Sequence, residues 1–217
     1  MTALLTLGGG FLLAVVWMDL MFDVQVLRKR DFVVLMAIFF IGLGIFNSVS
    51  TWIEDIVRPR QFSITQAGLA GGLMIIGGIV GALTLPALSD RYRRRVPFIL
   101  ITLAAAVPGL VGLTFAGSTS LLYASSFLLG FALLSAGPIG FQYGAEIARP
   151  TPEGTSNGLL LLMGQISGIL FIFGMDAFKS PATGSMTTSL LVLIGLLFVG
   201  LLVATRLRES ALLEHGR

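Results

Sequence analysis

Residues 66–95 read QAGLAGGLMIIGGIVGALTLPALSDRYRRR. From Gln66 to Leu88 there is no Asp, Glu, Lys or Arg, and the run then closes on Ser89-Asp90-Arg91-Tyr92-Arg93-Arg94-Arg95. An α-helix needs about 20 apolar residues to cross the hydrocarbon of a bilayer. Its backbone polar groups find no water there and must be paired within the segment. A run of this length that stops abruptly at a guanidinium cluster reads as a spanning helix whose end is pinned at a membrane surface. The fold class follows if the rest of the chain repeats the pattern.

It does. Seven apolar runs can be drawn, at 3–18, 32–52, 66–88, 97–115, 120–142, 156–175 and 186–205. Of the 217 residues 55% are hydrophobic and 12% charged, and the mean hydropathy is +0.94. That composition lies outside the range of soluble domains, so the expectation is an all-α, polytopic membrane bundle of about seven transmembrane helices. The stretch from Met1 to Trp17 begins with no Lys or Arg and ends in a bulky aromatic, unlike a signal peptide, so the first run is counted as a span. Residues 1–18 are then a first transmembrane helix, 19–31 an amphipathic cytoplasmic linker, 32–205 a six-helix bundle and 206–217 a cytoplasmic tail.

Charge orients the bundle. Eleven of the 14 Lys and Arg fall on one side: Arg28, Lys29, Arg30, Arg91, Arg93, Arg94, Arg95, Arg149, Arg206, Arg208 and Arg217; Arg58, Arg60 and Lys179 fall on the other. Loops rich in Lys and Arg stay in the cytoplasm, which places the N-terminus outside and the C-terminus in the cytoplasm of a plasma or inner membrane. The basic residues are short clusters between apolar runs, so the net charge of +3 signals topology and no nucleic-acid partner is expected. With no cysteine, and His215 as the one histidine, no metal or other cofactor is expected. A membrane-embedded enzyme would need acid/base groups clustered near one leaflet, and none is legible. Gly68 with Gly72, Gly77 with Gly81 and Gly164 with Gly168 are each four apart, the spacing that lets membrane helices approach closely.

The Leu88–Arg95 connection resembles the signature loop of the major facilitator superfamily. That resemblance implies that Asp90 accepts from Arg91 and from Arg94 or Arg95, bracing neighbouring helices in one state of a transport cycle. Where the family usually has glycine, four residues before the Asp and three after it, this chain has Pro86 and Arg93. Three spans precede the loop and four follow, which matches helices six to twelve of a twelve-helix carrier, the C-terminal half with one helix added. The expected partner is therefore the missing N-terminal half, beside the lipid bilayer and a small-molecule substrate.

Two further stretches are similar to the feline leukaemia virus subgroup C receptor-related transporters, a family associated with choline, ethanolamine and heme. They are Gly44-Ile45-Phe46-Asn47-Ser48-Val49-Ser50-Thr51-Trp52, and the pattern Glu153-Gly154-Thr155-Ser156 followed by Gly158-Leu159-Leu160 and then Gln165. In that family the glutamine of the eleventh helix faces the central cavity, which lands on Gln165; at Asn47 the animal members tend to carry an aromatic.

The residues also speak for themselves. Gln165 and Asn47 lie deep in their runs, where an amide facing lipid would be unsatisfied, so they line a wet cavity or bond between helices. Trp52, one turn outward, is either a cavity lid or an interfacial aromatic. Glu146 sits at the cytoplasmic end of the fifth run, as a partner for the Asp90-Arg91 cluster or Arg149. Thr155 or Ser156 is expected to cap the sixth run. With no carboxylate or cation buried mid-span, the leading reading is transmembrane transport of a small organic solute by alternating access. The alternatives are a polyspecific drug or metabolite exporter of the same superfamily and a non-transporting, truncated or accessory membrane protein. A seven-helix receptor predicts neither the Asp90 loop nor a glutamine in the sixth run.

Overall fold

The computed structural model describes residues 26–210. The expected span at 3–18, most of the linker at 19–31 and the tail beyond 210 lie outside these residues. Within them the chain forms six long helices: α1 (Arg30–Val57), α2 (Ile64–Tyr92), α3 (Val96–Thr114), α4 (Thr119–Ala148), α5 (Glu153–Ala177) and α6 (Thr187–Ala204), with a 3-10 turn at Arg58–Arg60. All six are long and apolar enough to cross a membrane. The shortest, 18 residues, is about 27 Å long and the longest, 30 residues, about 45 Å. Most overrun the apolar runs that predict them. Backbone pairing continues into the interfacial zone, where side chains are already polar, and hydropathy alone does not see those turns. The N-termini of α1, α3 and α5 and the C-termini of α2, α4 and α6 all lie at the arginine-rich end.

Local chemistry starts the helices. Ser63 and Gln66 form a reciprocal capping box on α2, Gln66 N to Ser63 Oγ at 3.2 Å and Ser63 N to Gln66 Oε1 at 2.8 Å. Ser118 caps α4 by accepting from Leu121 N. On α5 the expectation fails: the N-cap is Pro152, and Ser156 Oγ donates back to Glu153 O at 3.1 Å from inside the first turn. Pro152, with φ −58°, suits the chain's entry into the helix, so α5 begins at Glu153, whose carboxylate sits favourably at the positive end.

Packing does not follow chain order. α4 lies against α2 and α3, α1 against α5, and α6 against α3 and α1, whereas the sequential pairs α2–α3 and α5–α6 touch little. Small residues make the tightest crossing. A Cβ on Gly77 or Gly81 of α2 would fall on the carbonyl oxygens of Phe127 or Phe131, and one on Gly130 of α4 on that of Met74. The two backbones therefore meet directly. Gly164 and Gly168 face side chains of α1 instead, those of Leu43 and Asn47, whereas Gly68 and Gly72 have open space around them. The buried core runs through the crossings, from Phe32, Leu35 and Ile45 of α1 to Leu122 and Leu129 of α4 and Leu193 and Leu197 of α6. Ile75, Ile79 and Leu83 of α2, and Ile166, Ile169 and Phe173 of α5, stay exposed.

Candidate functional site

The α1–α5 seam opens into a cleft of about 320 Å³ lined by Phe46, Asn47, Ser50, Thr51, Gln165, Gly168, Ile169 and Ile172. The two helices can hold it because Gly168 has no side chain: a Cβ there would stand 2.9 Å from Asn47 Nδ2. The hydroxyls on the α1 wall are already satisfied, Ser50 Oγ donating to Phe46 O at 2.7 Å and Thr51 Oγ1 to Asn47 O at 2.8 Å. Among the described residues neither the Asn47 nor the Gln165 amide has a hydrogen-bond partner. Interhelical glue would require one. The structure thus brings the two expected amides together on one cleft, Asn47 half-buried and Gln165 exposed midway along α5, both with free donors and acceptors.

Trp52 stands at the outer end of this seam but does not line the cleft. Its Nε1 donates to Ile172 O at 3.0 Å, tying α1 to α5. Lys179 lies over its ring, 5.4 Å from the centroid, and pairs with Asp55 Oδ1 at 2.9 Å. Together these contacts brace the two helices just beyond the cleft.

At the arginine-rich end a second constellation forms. Arg95, 5% exposed at its side chain, pairs with Asp90 Oδ1 through Nη1 and with Glu146 Oε1 through Nη2 at 3.2 Å. Its Nη1 also reaches Ser89 Oγ at 3.2 Å. Gln142 joins them in the amide orientation that satisfies both neighbours, its nitrogen donating to Asp90 Oδ1 at 3.3 Å and its oxygen accepting from Arg95 Nη2 at 2.7 Å. One guanidinium thus bridges the end of α2, the start of α3 and the end of α4 through charge-assisted bonds. Of the residues the loop singles out, Asp90, Arg95 and Glu146 come together, and Arg91 and Arg94 lie exposed outside the cluster. Arg94 contributes backbone groups, its carbonyl accepting from Ser89 Oγ at 2.6 Å and its N–H donating to Ser89 O at 3.1 Å. Beside the cluster a polar hollow of about 510 Å³ is lined in part by Gln142, Glu146, Arg149, Glu153 and Asn157. Glu146 Oε2 and Asn157 Oδ1 are buried there with no partner among the described residues, and a hollow of that size has room for water.

Sequence reasoning missed Glu209, whose carboxylate accepts from the backbone N–H of Arg95 at 3.1 Å and of Val96 at 3.2 Å. No spacing could have found it, because 114 residues separate the partners.

Comparison with known proteins agrees with this geometry. A model of the Major Facilitator Superfamily matches residues 6–172. A protein of Archaeoglobus fulgidus is 34% identical over 185 residues, covering 85% of this chain and 83% of its own. Solute carrier family 49 member A3 of Xenopus tropicalis is 32% identical over 72% of this chain, and a choline/ethanolamine transporter of Danio rerio 28% identical over 86%. The chain spans 33% and 40% of the lengths of those two vertebrate relatives. With its all-helical bundle, its Asp90–Arg95 junction and these relatives, the chain belongs to the Major Facilitator Superfamily and is related to the feline leukaemia virus subgroup C receptor-related transporters.

Proposed function

We propose that this chain is the C-terminal part of a carrier that moves a small organic solute across a membrane by alternating access. Asn47 and Gln165 are the solute-facing groups and the Arg95 cluster is a lock that holds one conformation. The observation that carries this reading is the α1–α5 cleft, where two amides without protein partners face each other's wall in the middle of an apolar bundle. Burying an amide in hydrocarbon without a partner costs several kcal/mol, on the order of 2–7. The cleft is therefore wet, and an N-terminal half closes over it. A neutral pair of amides offers both donors and acceptors to a polar or weakly charged solute, and its low charge keeps binding reversible. Relatives named as choline/ethanolamine transporters make small amino alcohols and their quaternary ammonium forms the first candidates.

In this reading the arginine-rich end is cytoplasmic, which the concentration of Lys and Arg there supports. Asp90, Arg95 and Glu146 knit α2, α3 and α4 into one body that can rock as a unit. Breaking or reforming the lock shifts the balance between states. The test is uptake into vesicles by the complete carrier encoded with any in-frame upstream sequence. Gln165→Ala and Asn47→Ala are expected to lower solute uptake about tenfold or more at unchanged expression. Full uptake by both variants contradicts the assignment.

The relative from Archaeoglobus fulgidus, 83% of which is matched, favours a second reading in which a half-length chain works with another half or a second copy. Native mass distinguishes them: a product about twice 23.0 kDa supports the first, and one of 23.0 kDa the second.

A further inference from the structure

The N-terminus of α3 has no local cap: Arg95 occupies the N-cap position without a side-chain cap bond, and Pro97 follows in the first turn. Its leading N–H groups, on Arg95 and Val96, are instead both taken by the carboxylate of Glu209, one by each oxygen. A negative charge there also meets the positive end of the helix dipole. The segment that carries Glu209 follows α6 and is docked, not dangling. Leu207 and Ser210 are 7% and 2% exposed, and the buried Tyr143 of α4 donates its hydroxyl to Arg208 O at 2.5 Å.

Arg95 is therefore gripped twice. Its side chain is held by Asp90, Ser89 and Glu146, and its backbone N–H by Glu209. The backbone grip fixes where the α2–α3 connection ends and α3 begins, and so decides whether the Arg95 side chain points inward between two helices. Rotation of this residue by a fraction of a turn would carry the guanidinium away from Glu146.

We propose that Glu209 is a positioning residue of the lock: the segment after α6 clamps the first turn of α3 and thereby sets Arg95 between Asp90 and Glu146. The proposal rests on reading the Arg95 cluster as a lock. It makes the C-terminal segment a control point, since anything that lifts residues 205–210 also releases the lock.

The test is hydrogen exchange by mass spectrometry on the whole chain in lipid nanodiscs. Glu209→Gln keeps the shape and removes the charge that binds two N–H groups. It is expected to raise exchange of peptides covering 89–98 by about tenfold, with a parallel rise at 141–148 where Glu146 loses its partner, and no change in the middle of α5. Glu209→Asp, which keeps the carboxylate, should restore protection at 89–98 at least in part. Should Glu209→Gln fail to fold, Tyr143→Phe serves instead: it loosens the tail without removing a carboxylate, and a smaller rise at 89–98 is expected. If residues 205–210 lose protection while 89–98 and 141–148 keep theirs, Glu209 only anchors the tail and the proposal is overturned. Exchange reports the clamp whether or not the cluster governs transport. Failure of the lock reading would show separately, as Glu146→Gln leaving uptake unchanged.

Discussion

Gln165 shows how much a single residue carries and where sequence stops. Its depth in an apolar run identifies it, because an amide there must face protein or water. Its companion is also legible, since Asn47 obeys the same logic. What sequence leaves open is whether each amide is spent on the other helix, and the structure answers by giving neither a partner among the described residues. Trp52 could be narrowed to lid or interfacial aromatic, and its bond to Ile172 makes it a brace between α1 and α5. Gly168 offers a test at this scale. The atom it would crowd is the end of a flexible side chain, 2.9 Å from a new Cβ. Gly168→Ala should therefore cost little stability, below about 1 kcal/mol, while displacing the Asn47 amide and lowering uptake; thermal unfolding and uptake measured on the same preparation check both halves.

The proposed lock is the other residue-scale case. Arg95 and Glu146 are 5% and 15% exposed at their side chains, so removing one strands the other in a poorly solvated site. Glu146→Leu is expected to destabilise the bundle by about 3 kcal/mol. The double variant with Arg95→Met should recover a large part, because two apolar groups need no partner. A double-mutant cycle in detergent unfolding measures that difference. Additive losses would mean the pair is not coupled. The arginine-rich loop advertises the cluster, but not which arginine it uses. Four of them follow Asp90 within five positions, and only the left-handed turn at Arg93, φ 51°, and the start of α3 decide that Arg95 faces inward.

Among the elements, the α2–α4 crossing is the one the sequence reveals best. Gly77 and Gly81 carry the four-residue spacing, and the structure places both on the α4 backbone. The equal spacing of Gly68 and Gly72 marks no contact, since spacing reports a smooth face and not what lies against it. A Cβ on Gly130 would fall on backbone, the Met74 carbonyl, which cannot rotate away. Gly130→Ala should therefore force α2 and α4 apart at about 1–3 kcal/mol, against the small effect at Gly168. A drop in thermal stability confined to Gly130→Ala would confirm the distinction. The caps divide similarly: Ser63 with Gln66 spells a capping box in sequence, whereas α5 has a proline, Pro152, at its N-cap and α3 borrows its cap from Glu209.

For the whole molecule, membrane class and helix number over residues 26–210 were legible from hydropathy, because lipid admits few ways to satisfy a backbone. Which helices touch was not. Chain order is a poor guide to contact here, since α4 collects α2 as well as its neighbour α3, α1 collects α5, and the consecutive pairs α2–α3 and α5–α6 touch little. In the half-carrier proposed above, every exposed apolar face meets either lipid or another half, and composition treats both alike. The face of the α1–α5 cleft decides between them. The chain has no cysteine, so one can be introduced at will without background. The direct measurement is the reaction rate of a water-soluble, membrane-impermeant thiol reagent with Ile169→Cys, on the cleft, and with Leu202→Cys, on an exposed face of α6. Both are tested in the complete carrier in membranes. A solute path predicts that position 169 reacts at least about tenfold faster than position 202, and more slowly when a transported solute is present, as expected of a wet pocket in an otherwise dry span. Equal, negligible reaction at both positions would place the cleft against lipid and contradict the assignment of Asn47 and Gln165 to a solute path.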